Sequence, residues 1–82
     1  MKLEIISPEK KVFTGEVESV NLPGTAGSFT VLAHHAALIS SLKAGEIAYT
    51  AGGNETKLKV DSGFVEVKNN VVSVCIEKVV DS

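Results

Sequence analysis

Turn signals recur so closely along this chain that no long element fits between them. Ser7-Pro8, Gly15, Pro23-Gly24, Gly27, Gly45, Gly52-Gly53-Asn54, Gly63 and Asn69-Asn70 divide it into short segments rich in Val, Ile and Thr. Short β-branched runs punctuated by Gly, Pro and Asn are the pattern of an all-β protein. The residue pattern predicts eight to ten strands in two packed antiparallel layers.

Within that pattern "LEII" alternates as one strand. "KVFTGEVESVNL" is long, and its apolar residues change parity between Val17 and Val20. Such a change predicts a bulge or a strand that passes from one sheet to the other. "GSFTVLA", "AALISSLK", "GEIAYTA", "TKLKV", "GFVEVK" and "VVSVCIE" follow. Gly52-Gly53-Asn54 supplies positive φ for one hairpin, and Asn69-Asn70 tolerates the left-handed conformation of another. "HAALISSLKAGE" is the one candidate helix, with Ala36, Ile39 and Leu42 near helical spacing; its serines and short length favour a strand.

Eighty-two residues bound a single domain, 1–82, with one core. Hydrophobic residues make up 44% and aromatic ones 5%, so the core is built from Val, Ile, Leu and Ala. Eight basic and ten acidic side chains are dispersed, which argues against nucleic acid or an anionic membrane as partner. The single Cys75 excludes an intrachain disulfide and a cysteine zinc cluster. No apolar run is long enough for a signal peptide or a membrane span, so direct membrane insertion is not expected and a soluble, intracellular chain is.

His34-His35 is the most conspicuous chemical feature. Neighbouring side chains on a strand point to opposite faces, so the pair could share a metal only in a turn, and further ligands are lacking nearby. Hydrogen bonding to a turn or a partner is the expected use. "LPGTAG" lacks the Walker spacing and reads as a plain turn. Ser28, Ser40, Ser41 and Ser62 have no nucleophile-elbow pattern, and Asp61 and Glu66 form no evident acid/base pair. In "VVSVCIE", Val72, Val74 and Ile76 take one face and Val71, Ser73 and Cys75 the other. Apolar residues on both faces of this strand and of "AALI" suggest a docking surface.

Taken in order, four of these stretches resemble the N-terminal β domain of the ε chain of F-type ATP synthases. That family runs a Ser-Pro-Glu start, a Phe-x-Gly-x-Val step, a Pro-Gly-x-x-Gly turn, a Pro-Gly-His-Ala-Pro-Leu segment and a Lys-Pro-Gly. "IISPEKKVFTGEVESVNLPGTAGSFTVLAHHAALISSLKAGEI" follows it, and "VDSGFVEVKNNVVSV" resembles the closing Gly-Gly-Phe-x-Glu-Val-x-x-Asn-x-Val-x-Val. The resemblance covers Leu3 to Ile76.

It implies a flattened ten-stranded antiparallel β sandwich at the foot of the central stalk, without catalytic residues, cofactor or metal. Such a subunit of a proton- or sodium-translocating synthase binds the γ chain and the c ring, peripherally, at the cytoplasmic face of the cell membrane. Candidate γ contacts are Ser7, His35, Leu38, Ile39 and Ser40; candidate c-ring contacts are Gly24, Thr25, Ala26, Gly27 and Ser28. His35 falls on the family histidine and His34 on a glycine, so one family histidine with an unusual neighbour is expected. Lys43 and Gly45 fall on the Lys-Pro-Gly.

Departures accompany the match. Thr30, Ala33, Ala37 and Ala44 stand where glycine or proline is expected, and Asp61-Ser62 replaces Ser-Gly. Ala26 and Ser28 stand where the family is often acidic, so a neutral hydrogen-bonded contact through Thr25 and Ser28 is expected instead. The chain stops at Ser82, short of the two-helix domain many members carry, and no inhibitory or ATP-sensing role is carried over. Two other readings fit an all-β chain of this length: a biotinyl- or lipoyl-carrier domain, for which Lys43 lacks the Met or Asp neighbours, and a stand-alone binding or scaffold sandwich.

Overall fold

The computed structural model describes residues 1–80, and those residues form nine strands. They are β1 (Lys2–Ile6), β2 (Lys11–Glu16), β3 (Ser19–Gly24), β4 (Gly27–Leu32), β5 (Leu38–Leu42), β6 (Gly45–Ala51), β7 (Asn54–Val60), β8 (Gly63–Lys68) and β9 (Val71–Ile76). The stretch that could have been a helix is β5. One isolated bridge, Val60 to Val79, adds a fragment of pairing after β9.

Alternation decides which faces meet. Leu3, Ile5, Val20, Leu22, Val31, Ile47, Val65, Val67, Val72 and Val74 are each no more than 1% exposed. On the strands these recur every second residue, so each strand turns one face to a shared core. No polar or charged residue is buried among the described residues. At the edge, the Phe13 and Tyr49 rings lie 4.4 Å apart, tilted by 35°, and extend the core between the layers.

The strand order is β2-β1-β9-β8-β5-β3-β6-β7, with β4 also on β3. One layer is β2-β1-β9-β8-β5; the other is β3, β4, β6 and β7. They join where β5 meets β3 at the single pair Gly24 to Leu42. The parity change expected between Val17 and Val20 is a crossing: Val17 N–H donates to Met1 O at 2.8 Å, and Glu18 N–H donates to Thr50 O at 2.7 Å. The chain thus changes partners from β1 to β6 in one residue.

Two features depart from a ten-strand antiparallel sandwich. Nine strands and a bridge are present among the described residues, and β1 pairs with β9 in parallel, Lys2 beside Val71 through Ile6 beside Cys75. β1 enters next to β9 because each buries the same alternating face; their direction is set by the long path between them, which no local signal encodes.

The turns take the forms their residues predict. Gly52 (φ 58°) and Gly53 (φ 80°) close β6 onto β7, and Asn69 (φ 52°) and Asn70 (φ 62°) close β8 onto β9. Two consecutive positive φ values suit the right-handed twist of the flanking strands. Gly63 is required for another reason: a Cβ there would stand 2.2 Å from the carbonyl oxygen of Cys75 on β9.

Candidate partner-binding surfaces

The outward face of the five-strand layer is organised in rows across the strands. Ile6, Cys75, Phe64 and Ser41 are direct cross-strand neighbours and form the first. Glu4, Ser73, Glu66 and Ile39 form the second, and Lys2, Val71 and Lys68 the third. An apolar band is therefore followed by a carboxylate band and then an ammonium band. Ile6 is 41% exposed, Phe64 54% and Ile39 76%. Clustered apolar side chains on a sheet face are the signature of a surface that another molecule covers.

A groove of about 470 Å³ lies at the apolar end, lined by Ile6, Ser7, Phe64 and Cys75 among others. Ser7 is half-buried at its rim, where its N–H and Oγ both donate to Lys10 O, at 2.9 and 3.2 Å, and shape the β1–β2 turn. A second hollow of about 330 Å³ is lined by Leu38, Ile39, Glu66 and Lys68.

The β5 candidates divide between the two faces. Ile39 pairs with Glu66 on the outward side, whereas Leu38 and Ser40 pair with the buried Val67 and Val65 on the inward side and are half-buried. Ser40 Oγ donates to Ser41 O at 3.0 Å. Ser41, Phe64 and Ile6 share the outward face with Ile39 and were not singled out from sequence. The signal was available for Phe64, whose parity opposes that of the buried Val65 and Val67.

The β3–β4 hairpin holds the other candidates. Gly24 pairs with Gly27, leaving Thr25 and Ala26 at an exposed tip with Ser28 exposed beside it. Gly24 is buried, and a Cβ there would meet Gly27 O at 2.7 Å and the Phe29 ring at 2.9 Å. Thr25 N–H donates to Ser41 O at 3.1 Å, and Thr25 Oγ1 shares a hydrogen bond with Ser41 Oγ at 2.9 Å. This contact fastens the tip to the end of β5, so the two candidate surfaces adjoin at Ser41.

The histidines sit in the exposed turn between β4 and β5. His34 has φ 63°, and its N–H donates to Asn70 Oδ1 at 2.8 Å, tying this turn to the β8–β9 turn. His35 N–H donates to Leu32 O at 3.2 Å, and its Nδ1 lies 2.7 Å from Ala36 O. Among the described residues no three His, Cys, Asp or Glu side chains cluster as metal ligands. The left-handed backbone at His34 supplies the physical reason why glycine suits this position.

The family model for the β-sandwich domain of the ATP synthase delta/epsilon chain matches residues 1–82. The chain belongs to that family. Among its relatives, the ATP synthase epsilon chain of Rhodopseudomonas palustris is 40% identical over 73 residues, covering 89% of this chain and 54% of the relative. That of Geotalea daltonii is 40% identical over 77 residues, 94% of this chain and 56% of the relative. The chain thus spans a little over half the length of these curated epsilon chains.

Solved structures carry the same fold. A chain in the Euglena gracilis mitochondrial ATP synthase, resolved with OSCP, F1 and c-ring, superposes with a TM-score of 0.88 at 22% identity, covering 95% of this chain and 51% of that one. A chain of the Tetrahymena thermophila central stalk and c-ring gives 0.84 at 13%, covering 98% and 65%. At such identities the likeness establishes the fold alone; the family match is what displaces the carrier-domain reading. No helix among the described residues is long and apolar enough to cross a membrane.

Proposed function

We propose that this chain is a non-catalytic, central-stalk component of an F-type ATP synthase. It docks the γ chain to the c ring and helps to couple ion flow to ATP synthesis, at the cytoplasmic face of the membrane. The observation that carries the reading is the 40% identity to epsilon chains across nine tenths of the sequence. The banded outward face supports it with a surface suited to a protein partner, and the β3–β4 tip supplies a second, polar one. A closely packed two-layer block deforms little under load, which suits a part that transmits torque.

Of the candidate γ contacts, Ile39 and His35 are exposed to a partner and Ser7, Leu38 and Ser40 are half-buried; Phe64 and Ile6 join Ile39 on its face. The ring contact is assigned to the exposed Thr25, Ala26, Gly27 and Ser28, with Thr25 and Ser28 supplying hydroxyls and the buried Gly24 shaping the turn behind them. The test is calorimetric titration of this chain into purified γ chain from the same source. Saturable, one-to-one binding supports the assignment; absence of binding to γ and to the assembled catalytic head removes it.

A further inference from the structure

The segment after β9 crosses from one layer to the other. Glu77 N–H donates to Ser62 O at 3.1 Å and Val80 N–H to Lys59 O at 2.8 Å, flanking the Val60–Val79 bridge. One side chain completes the attachment: Asp61 Oδ1 accepts from Ser62 N–H at 2.8 Å and from Lys78 N–H at 3.2 Å. Residues 77–80 therefore lie against β7, at the far end of the strand order from β9, and close the mouth of the sandwich on that side.

Their packing is sparse. Val79 is the one residue of the four that packs on the core, and it is only partly buried; Glu77, Lys78 and Val80 are exposed. Open hollows flank the segment on both sides. One, of about 330 Å³, lies between Glu77–Val79 and Val12 and Leu58. The other, of about 420 Å³, lies between Val80 and Ala44, Val60 and Asp61. The preceding β9, by contrast, buries Val72, Val74 and Ile76. Local opening is favoured where few apolar contacts and exposed backbone hydrogen bonds hold a segment.

We infer that residues 77–80 are a strap, pinned by the Asp61 carboxylate, that opens and closes as a unit while the sandwich beneath it stays folded. Closed, it keeps Val60 from water and separates the two hollows. Open, it joins them into one furrow along β7 and frees the backbone of Lys59 and Val60.

Native-state amide hydrogen exchange on the 82-residue chain tests this. In the parent, the Lys78 and Val80 amides exchange at least about tenfold faster than the protected amides of the β8–β9 ladder. Asp61→Ala speeds Lys78 and Val80 by a further factor of roughly ten and leaves the ladder unchanged. Asp61→Asn, which keeps an Oδ1 acceptor, restores most of the protection. Equal rates for strap and ladder in the parent would overturn the inference. So would a ladder accelerated together with the strap, an unfolded Asp61→Ala chain, or no change at Lys78 and Val80.

Discussion

At His34 a side chain occupies a conformation that costs an L-residue about 1–2 kcal/mol. Its anchoring bond to Asn70 Oδ1 comes from the backbone N–H, which any residue other than proline retains. His34→Gly is therefore expected to raise stability by about 0.5–1 kcal/mol, with the gain limited by glycine's freedom in the unfolded chain. A thermal melt reads this as an increase of several degrees. Gly63 is the opposite case: the atom it excludes would overlap the backbone of β9. Gly63→Ala is expected to cost about 3 kcal/mol or more, measured by denaturant titration. Positive φ at Gly52, Gly53, Asn69 and Asn70 was legible from sequence because turn chemistry is local. The demand at Gly63 was not, since it arises from a strand that approaches from elsewhere in the chain.

Strands were legible wherever one parity alone was apolar. In β7, Leu58 and Val60 declare the core side and Glu55, Lys57 and Lys59 the other. β5 is ambiguous because Leu38 and Leu42 have one parity and Ile39 the other; only the pairing with β8 resolves it. Truncations separate the two faces. Leu22→Ala in β3 is expected to cost about 2–5 kcal/mol, as a core cavity does. Ile39→Ala, on the open side of β5, is expected to stay within about 0.5 kcal/mol of the parent by the same denaturant titration. A large loss at Ile39 would place it in the core instead. The crossing at Val17–Glu18 was visible as a parity change, whereas the partners on either side of it, Met1 and Thr50, were not.

The whole molecule measures 29 × 26 × 21 Å and offers two adjoining surfaces, the banded face and the β3–β4 tip. Under the stalk assignment, Ile39→Asp and Phe64→Asp are expected to weaken γ binding by about tenfold or more with melting unchanged, since each charge would be desolvated at an apolar contact. Thr25→Ala with Ser28→Ala is expected to weaken association with the c ring and to leave γ binding intact; unaltered ring association in a pull-down removes the hydroxyl contact. The banding was partly legible, as two-sided apolar character in β5 and β9, but its rows depend on register across four strands. The parallel seam between β1 and β9 has a bearing on how the protein is made. Of the nine described strands, β1 leaves the ribosome first and its neighbour on that side, β9, last. Until residues 71–76 emerge from the exit tunnel, Leu3 and Ile5 have no β9 to pair with. Contacts between distant parts of a chain form late and leave apolar surface waiting. While β2 to β8 are being made the nascent chain therefore carries an unfinished sheet, which closes only once β9 is clear of the tunnel.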